Sequence, residues 1–589
     1  MLAFALVGAP LTATPAASAD QHECAVADKR CDGRISVPLD WDDPRSERIS
    51  VAFAWLPRTD RSRPATGTVL ANPGGIAPAL PAVPTIAAAL GPVLQRQNLL
   101  VVEPRGHGES SPLLCPGLDL AEQRTIAACA AQLGPKTAFY TSDQAVRDMD
   151  AVRQALGVPK VSFYGNSYGT ILGPAYATRF PRNTAAVFLD SVVSIGADGY
   201  ARASIATPMS DHDDVCRPSP ACRKLPGDPR GTWSKLVRHL RAEPDSALPI
   251  TTLRAVGNVL TDPAFGRETA AAATAYLAGD RRPLHRLGKA VGDFQGMPLK
   301  DPTYAGMLAY YCGDFRHPYD REASPAERRR QLDHYYATER PFEPFVVEEL
   351  AGPFGWQDWC VSWPTPRESP PVPPGADYPD VPALGVGGQL DDDGSGAEVL
   401  GRFPGGRHIT IPFGSHSVSL NQRPPLVECV RKEMRRFLER LAAGRPVCSA
   451  ATYQALGSFP RTIDDVPPAR GAGLSVSERR LLAVAFGTAT DALHRRNPYS
   501  ALYGRLKTEA GLRGGQVSFD DDQSRIRLDQ VRYTGDVAVT GVVHPEGRAV
   551  LTVRDRRVEF TWDAFRAEES TRIQGTLDGR AFKARIPAH

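Results

Sequence analysis

The chain has 589 residues and a formal net charge of +3, from 69 Lys and Arg against 66 Asp and Glu. Hydrophobic residues make up 42% of it and charged residues 23%, as is usual for a globular protein with a solvated surface. The length predicts about two to four domains. The basic excess is small and scattered rather than gathered in a run, which argues against nucleic acid as a partner.

The N-terminus and the cysteines both predict a secreted, extracellular protein. Residues 1–19 resemble a signal peptide: a short apolar run ends in Ala17-Ser18-Ala19, a small-x-small cleavage pattern, although the usual positive start is missing. No later apolar run reaches about 18 residues, so no membrane span is expected. Ten cysteines, an even number, favour disulfides in an exported chain. The expected partners are sequence neighbours: Cys24 and Cys31, Cys115 and Cys129, Cys216 and Cys222, Cys312 and Cys360, Cys429 and Cys448.

Between residues 34 and 108 the hydrophobic pattern changes from alternating to continuous. Two alternating runs around a Pro- and Asp-rich turn predict a β-hairpin over residues 34–57. The next two runs, 67–75 and 98–108, are short and nearly continuously apolar, and each ends in glycine. Runs of this kind are typical of parallel strands that are buried on both faces.

Residues 142–192 then alternate between helical and strand-like patterns. The segment 142–157 has helical spacing, and Ser142 is expected to cap it. Its apolar stripe consists of Val146, Met149, Val152 and Leu156. A strand, a helix that Pro181 stops, and another strand follow. The alternation predicts a doubly wound, mostly parallel α/β sheet, with its first part in residues 20–195.

Later in the chain this alternation of strand and helix patterns stops, resumes over residues 376–450 and stops again. Residues 196–375 are helix-like and end in a proline-rich stretch, which predicts a large helical cap inserted into the α/β domain. Residues 376–450 would supply the second part of the core, with two strands and an amphipathic helix over 426–443. Residues 451–589 form a separate module by composition. A Ser475/Glu478 capping box starts its helix, and the short alternating segments that follow predict a β-rich antiparallel fold.

The stretch Gly165-Asn166-Ser167-Tyr168-Gly169 has the G-x-S-x-G pattern of a nucleophile elbow. A predicted strand precedes it and a predicted helix follows it, which is the context that the chemistry needs. A sharp strand-to-helix turn exposes the serine oxygen, and the N-terminus of the helix directs N–H groups at a developing oxyanion. We therefore predict Ser167 as the nucleophile and the N–H group of Tyr168 as one oxyanion donor.

The remaining catalytic groups are expected in loops that follow other strands. Residues 72–75, Asn-Pro-Gly-Gly, predict the second oxyanion donor at Gly75, with Gly74 as the neighbouring alternative. In this fold the acid and the histidine follow the serine in that order. Asp391 and His416 each follow a strand and meet that requirement.

Several neighbouring residues compete with these assignments. Asp392 and Asp393 are alternatives to Asp391 as the acid, whereas a calcium loop is disfavoured because the spaced EF-hand pattern is absent. Of the other histidines, His408 is expected within a strand and His107 in a turn near the site.

The motifs of residues 20–450 resemble those of the secreted actinobacterial tripeptidyl aminopeptidase-like serine hydrolases, relatives of the prolyl aminopeptidases. The resemblance rests on ISVPLDWDDP, NPGG, EPRGHGESSPLLC, DMDAVRQALGVPKVSFYGNSYGT, FLDSV, YYCGD, CVSWP, GGQLD, GSHS and FLERLAAGRPVC. It implies an α/β-hydrolase fold. It also maps the family's triad onto Ser167, Asp391 and His416, and its oxyanion loop onto Gly74 and Gly75.

The chain departs from the family pattern at several places near the predicted site. The oxyanion loop continues as GGIAPAL where the family usually has Gly-Gly-Pro-Gly. Glu103 stands where Asp is usual, Asn166 where Gly is frequent, and GSHS replaces a common Gly-His-Gly. None of these changes removes a predicted catalytic side chain, but the loop change is expected to alter substrate fit.

The resemblance implies a serine exopeptidase, an aminopeptidase of tripeptidyl or prolyl type that releases short N-terminal peptides through an acyl-enzyme. Peptides are the expected partners, and neither a metal nor an organic cofactor is required. Such an enzyme needs a carboxylate for the α-ammonium group of its substrate. The candidates are Asp314, Glu348, Glu349 and Asp358 for the ammonium group, and Trp356, Trp359 and Trp363 for an apolar subsite.

Three alternatives remain open at this point. The first is a carboxylesterase or lipase on the same fold, since the triad chemistry does not distinguish ester from peptide. The second is a non-catalytic binding protein on a decayed hydrolase fold. The third concerns only residues 451–589, which would bind cell wall or another protein. No oligomeric state follows from these patterns.

Overall fold

The computed structural model describes residues 21–26, 29–75, 77–193, 215–217, 219–258, 263–293, 299–340, 343–349, 356–364, 369–391, 396–420, 426–442, 444, 448, 455–471, 473–496, 507–520, 524–564 and 570–587. The chain divides into two compact units. The first consists of residues 1–207 and 297–448, and the second of residues 208–296 and 449–589. Each unit is therefore built from two separate stretches of the chain.

The described helices are, in chain order, α1 (Gln21–Val26), α2 (Val83–Leu90), α3 (Gln123–Leu133), α4 (Ser142–Ala155), α5 (Gly169–Arg179), α6 (Pro229–Ala242), α7 (Ile250–Asn258), α8 (Pro263–Leu277), α9 (Arg282–Asp293), α10 (Tyr304–Asp314), α11 (Pro325–Glu339), α12 (Trp356–Cys360), α13 (Gly396–Gly401), α14 (Leu426–Arg440) and α15 (Val476–Arg495). Within these ranges no helix has the length and apolar character needed to cross a lipid bilayer.

The strands of the first unit are β1 (Cys31–Pro38), β2 (Arg48–Leu56), β3 (Gly67–Asn72), β4 (Gln97–Val102), β5 (Val161–Asn166), β6 (Thr184–Asp190), β7 (Ala383–Gly388) and β8 (Arg407–Ile411). They form one sheet in the order β1-β2-β4-β3-β5-β6-β7-β8. β1, β2 and β4 pair antiparallel, and every pair from β4 to β8 is parallel. The predicted hairpin and the predicted doubly wound, mostly parallel sheet are both confirmed.

The sheet carries its buried helices as the hydrophobic pattern predicts. The predicted stripe is buried in the core, at Val146, Met149 and Val152 of α4 and at Leu156, which directly follows the helix. Every residue of β4 and β5 is buried, as expected for strands that are covered on both faces. α5 ends at Arg179, before Pro181 as predicted, and α14 ends at Arg440 rather than at residue 443.

The predicted cap of α4 is wrong. The N-cap residue is Thr141, whose side chain makes no capping bond, and Ser142 is the first residue of the helix. The N–H group of Ser142 instead donates to the carboxylate of Asp314, with distances of 3.1 and 3.2 Å to its two oxygens. A carboxylate near a helix N-terminus is favourable because it meets unpaired N–H groups and the positive end of the helix dipole. Asp314 therefore satisfies the N–H group of Ser142 itself.

The second unit contains an antiparallel sheet, as predicted from its alternating segments. Its strands are β9 (Thr508–Ala510), β10 (Gln516–Asp520), β11 (Arg525–Thr534), β12 (Val537–His544), β13 (Arg548–Val553), β14 (Arg556–Thr561), β15 (Ser570–Leu577) and β16 (Arg580–Pro587). They pair in sequence order from β9 to β16. Apolar side chains of one sheet face pack with α15, whose Ser475/Glu478 capping box is present.

Buried ion pairs join the two stretches of the second unit. Arg286 of α9 binds Asp491 of α15 at 2.7 Å, and Arg495 of α15 binds Glu268 of α8 at 2.8 Å. All four side chains are at most 5% exposed. The region expected to be one helical cap, 196–375, is thus divided: its residues 208–296 belong with the C-terminal module and 297–375 with the first unit.

All ten cysteines are paired, and the partners are the expected sequence neighbours. Cys312 lies in the last turn of α10, and Cys360 is the last residue of α12. Both are fully buried. The bond between them spans 48 residues, the largest sequence separation of the five.

Removing this disulfide is expected to lower the free energy of unfolding of the first unit by roughly 4 kcal/mol. A crosslink restricts the unfolded chain more as the closed loop grows. The variant is Cys312→Ser with Cys360→Ser, measured by denaturant unfolding. The matched control is Cys24→Ser with Cys31→Ser, which opens a loop of only 7 residues and is expected to cost about 2 kcal/mol. An equal or larger loss in the control would contradict the loop-length argument.

Candidate active site

Ser167 stands on a sharp turn between β5 and α5. Its φ is +52°, a left-handed conformation that is uncommon for residues other than glycine. The flanking glycines are required by space: a Cβ on Gly165 would lie 2.3 Å from the carbonyl oxygen of Gly169, and one on Gly169 would lie 2.7 Å from that of Asn72. The turn is therefore a strained strand-to-helix elbow of the kind that the G-x-S-x-G pattern predicts.

The structure brings the three residues of the predicted triad into one chain of hydrogen bonds. Nε2 of His416 lies 2.8 Å from Oγ of Ser167, and Nδ1 of His416 lies 2.8 Å from Oδ1 of Asp391. Asp391 follows β7 and is buried, whereas His416 follows β8 and is half-buried. The strand order places the ends of β5, β7 and β8 on the same edge of the parallel sheet.

This geometry supports acid–base chemistry on the serine oxygen. A neutral imidazole whose Nδ1–H group donates to a carboxylate presents the lone pair of Nε2 to the serine hydroxyl. The carboxylate would also stabilise the imidazolium that forms when the serine proton moves. Asp391 is the acid that contacts the histidine, and the alternatives Asp392 and Asp393 lie outside the described residues.

His408 and His107, two of the eleven other histidines, lie where the sequence predicts them. His408 is in β8, and burial lowers its pKa below the usual value. His107 occupies a buried turn after β4, packs on Tyr310 and has a pKa that burial lowers to about 4. Each is therefore a neutral packing residue near neutral pH.

The loop after β3 lies against the serine. A Cβ on Gly74 would be 2.3 Å from the carbonyl oxygen of Asn166 and 2.8 Å from Cβ of Ser167. The N–H group of Gly74 donates to Oδ1 of Asn72 at 2.9 Å, so it is already engaged. In the described part of the chain, the N–H groups of Gly75 and Tyr168 donate to no protein acceptor. Of the two glycines, Gly75 is thus the one whose N–H group remains for a ligand.

Glu103 supports the residues that follow this loop. Its carboxylate accepts the N–H group of Leu80 at 2.8 Å and that of Ala79 at 2.5 Å. Burial raises the pKa of Glu103, and the backbone hydrogen bonds oppose that rise. The glutamate that replaces the more usual aspartate therefore holds the start of the next helical segment.

Asp314 lies beneath the residue that follows the serine. The Tyr168 hydroxyl donates to its carboxylate, the Ser142 N–H group does the same, and the Tyr168 ring makes edge contacts with Tyr311 and Phe315. Burial raises the pKa of the Asp314 carboxyl from 3.8 to about 7, against the hydrogen bonds from Tyr168 and Ser142. The carboxylate is therefore engaged inside the protein and links α10 to the elbow.

Replacing Asp314 by Asn is expected to flatten the pH dependence of stability between about pH 4 and pH 7. Over that range the unfolded chain releases the Asp314 proton while the folded protein retains it, so stability falls as pH rises and levels off above pH 7. A shift of about 3 units corresponds to roughly 4 kcal/mol. Unfolding midpoints of the wild type, Asp314→Asn and the exposed control Glu348→Gln, measured across this range, test it. Equal slopes in all three proteins would rule the effect out.

The other predicted substrate-binding residues that the structure describes do not share the contacts of Asp314 with the elbow. Asp358 is buried and accepts from Arg329 and from the Tyr336 hydroxyl, each at 2.6 Å. Glu349 accepts the N–H group of Val346, and Glu348 is exposed. Trp359 and Trp363 are packed in the core of the first unit, and the side chain of Trp356 lies outside the described part.

Sequence reasoning missed a buried polar group between the serine and the histidine loop. Asp190, the last residue of β6, is fully buried, and its carboxylate contacts Asn166, Val418 and Ser419. An acid at the C-terminal end of an otherwise apolar strand, next to the strand of the elbow, is a signal that was present in the sequence.

A model of the α/β-hydrolase fold matches residues 72–218. A tripeptidyl aminopeptidase of Streptomyces coelicolor is 27% identical over 468 residues, covering 70% of this chain and 83% of that protein. Serine protease Hip1 of Mycobacterium tuberculosis is 29% identical over 223 residues, covering 33% of this chain and 41% of the protease. Carboxylesterase B of the same species is 28% identical over 404 residues, covering 60% of this chain and 74% of the esterase. The chain therefore has an α/β-hydrolase fold and, as its motifs indicate, is similar in sequence to tripeptidyl aminopeptidases.

Proposed function

We propose that this protein is a secreted serine exopeptidase, an aminopeptidase that releases short N-terminal peptides through an acyl-enzyme. The observation that carries the proposal is the pair of 2.8 Å contacts that joins Ser167 to His416 and His416 to Asp391. A serine, a histidine and a buried carboxylate in this order are the parts that acyl transfer needs.

In the proposed reaction Oγ of Ser167 attacks the scissile carbonyl carbon while Nε2 of His416 takes the hydroxyl proton. The tetrahedral intermediate collapses when His416 gives this proton to the leaving amine, and an acyl-serine remains. His416 then takes a proton from water, whose oxygen attacks the acyl carbon, and returns it to Oγ of Ser167. Asp391 orients the imidazole and stabilises its charged form throughout.

The oxyanion that forms in each half of the reaction is assigned to the N–H groups of Gly75 and Tyr168. Both groups are free of protein acceptors in the described part of the chain, and Tyr168 immediately precedes α5. Preorganised N–H donors of this kind stabilise charge that is absent from the ground state. Gly74 is better described as a spacer, because its own N–H group is bound to Asn72.

Replacing Gly74 by Ala is expected to lower kcat by about 10²- to 10³-fold, the usual cost of one lost oxyanion donor. The new methyl group would meet the Asn166 carbonyl oxygen and Cβ of Ser167, and φ at this position is +87°, so the loop must move. The matched control is Gly157→Ala, at a φ of +65° with no atom within 4 Å of the new methyl group. Steady-state kinetics of both variants separate crowding from backbone strain; equal kcat values would contradict the assignment.

Similarity to proteins named tripeptidyl aminopeptidase and serine protease supports peptides as the substrates. Of the four predicted ammonium-binding carboxylates, Glu348 is the one that is exposed. The signal-like residues 1–19 and the five disulfides support an extracellular location. The second candidate function is a carboxylesterase, which the similarity to Carboxylesterase B favours.

One experiment tests both functions and the role of the serine. The purified protein is assayed with a tripeptide anilide that has a free α-amino group, with its N-acetylated form, and with a short acyl ester. The proposal predicts turnover of the free tripeptide in preference to the blocked one, whereas ester-only turnover would replace it with the esterase. Labelling by a fluorophosphonate, absent from Ser167→Ala, is the control for the nucleophile. A wild type that neither turns over nor labels would favour a non-catalytic binding protein.

A further inference from the structure

Asp190 lies between the segment that carries Ser167 and the loop that carries His416. It ends β6, where it is paired with Asn166 of β5 on one side and Val386 of β7 on the other. The side chain is fully buried, and it is not a member of the Ser167–His416–Asp391 chain. A buried carboxylate is costly unless its oxygens receive hydrogen bonds, so its partners are informative.

The carboxylate binds the backbone just after the histidine. Oδ1 of Asp190 accepts the N–H group of Val418 at 3.1 Å, and Oδ2 accepts the N–H group of Ser419 at 2.8 Å. The Ser419 hydroxyl also donates to Oδ2. The loop that carries His416 is therefore held by three donors that converge on one side chain.

Asp190 also binds the segment that carries the nucleophile. Nδ2 of Asn166 donates to Oδ2 of Asp190 at 3.1 Å, and the N–H group of Ser167 donates to the Asp190 carbonyl oxygen at 2.9 Å. Asn166 in turn accepts the Ser417 hydroxyl at 2.9 Å. Nucleophile and base are thus joined through Asp190 and Asn166 as well as through their own contact.

The loop needs such support because its backbone is strained. Ser417, directly after His416, has a φ of +62°, and its N–H group donates to Oγ of Ser191 at 2.6 Å. A serine in this conformation persists only when its surroundings over-determine it. Two departures from the family pattern, Asn166 and Ser417, form one of the bonds that do so.

The partners of Asp190 match its ionised form, because each of them donates. Burial raises its pKa, while the Ser419 side chain and backbone and the charge of His416 oppose that rise. The titratable and charged groups that face it are His416, Asp391, Tyr164 and Arg431; Tyr164 reaches Ser419 through its hydroxyl, and Arg431 binds the Ser419 carbonyl oxygen. Removal of the Asp190 charge would therefore act on the histidine as well as on the loop.

We propose that Asp190 is a positioning residue that sets the geometry of the Ser167–His416 pair through the network Asn166–Asp190–Ser417–Ser419. The inference rests on the proposed function. In Asp190→Asn, one amide N–H group would face N–H donors of the loop, so the loop must shift. A displacement of about 1 Å at a reacting pair can cost about 10²-fold in rate.

The test is the rate of fluorophosphonate labelling as a function of pH for the wild type and Asp190→Asn. The expected result is a fall of about 10- to 100-fold in the maximal rate, per folded molecule, and a midpoint displaced to lower pH because a negative charge near the imidazolium has gone. Asp150→Asn is the matched control: Asp150 is a buried acid of α4 whose carboxylate binds Arg153, Tyr176 and Asn183. It is expected to keep the wild-type rate and midpoint.

Ser417→Ala keeps the experiment decisive if Asp190→Asn does not fold. It removes only the hydroxyl that binds Asn166, so its rate is expected to fall several-fold with an unchanged midpoint. A wild type that does not label overturns the proposed function itself. If the wild type is labelled and every variant that folds shows the wild-type rate and midpoint, the positioning role alone is overturned.

Discussion

Ser167→Ala and His416→Ala are each expected to lower kcat about a million-fold, and the double variant is expected to lose no more than either single variant. The two residues act as one unit, because the hydroxyl is a weak nucleophile until Nε2 of His416, 2.8 Å away, takes its proton. Residual turnover would come from the oxyanion donors and substrate binding, which remain in both variants.

Single-turnover rates on the best substrate found for the wild type measure this effect. The double variant is the most informative, because it shows whether the two losses add. Additive losses, with the double variant far below both singles, would mean that the serine and the histidine act in separate steps. The Asp150→Asn variant serves as the folding control here as well, since its carboxylate lies in a network with Arg153. Neither alanine substitution removes a core side chain, so the fold should persist.

Asp391→Asn is expected to lower kcat by about 10⁴-fold at neutral pH. The side chain keeps its size, but its amide group can donate to Nδ1 of His416 where Oδ1 now accepts, at 2.8 Å. The imidazole proton then sits on Nε2. In that tautomer Nε2 has no lone pair to accept the proton of the serine hydroxyl. The imidazolium also loses the neighbouring negative charge that stabilises it.

The same substitution at Asp392 and at Asp393 provides the comparison, because the sequence alone leaves these residues as rivals. Both are expected to retain most of the wild-type kcat. A loss of less than about tenfold in Asp391→Asn, together with a large loss at either neighbour, would move the role of the acid to that neighbour. The pH dependence of kcat/KM, measured for all three, shows whether the change acts through the histidine.

Local patterns predicted those parts of the fold that local interactions decide. The elbow follows from strand, glycine and helix signals within a few residues of Ser167. The capping box joins Ser475 and Glu478, which are only three positions apart. The candidate triad residues could be named because strand ends converge on one sheet edge in this fold. Their contact distances came only with the structure.

The predictions were wrong or incomplete where contacts between residues far apart in the sequence determine the structure. The N–H group of Ser142 is satisfied by Asp314, which lies 172 positions later, so no local rule could assign it. The same contact, together with burial, explains why Asp314 is not an exposed acid. Asp190 was overlooked for the same reason: its strand and its position were predictable, but its partners Val418 and Ser419 lie more than 220 residues away.

The ion pairs of the second unit have a consequence for how the chain folds. Of the second unit, residues 208–296 leave the ribosome first, and all of residues 297–448 must follow before Asp491 and Arg495 appear. Until then Arg286 and Glu268 have each other, at 3.2 Å, but lack Asp491 and Arg495, which complete the buried ion pairs. The helices of residues 208–296 therefore complete their packing only after α15 has been synthesised. A chain that ends at residue 448 would carry these helices permanently unfinished, prone to aggregation and to proteolysis, even though every residue of the candidate triad is present.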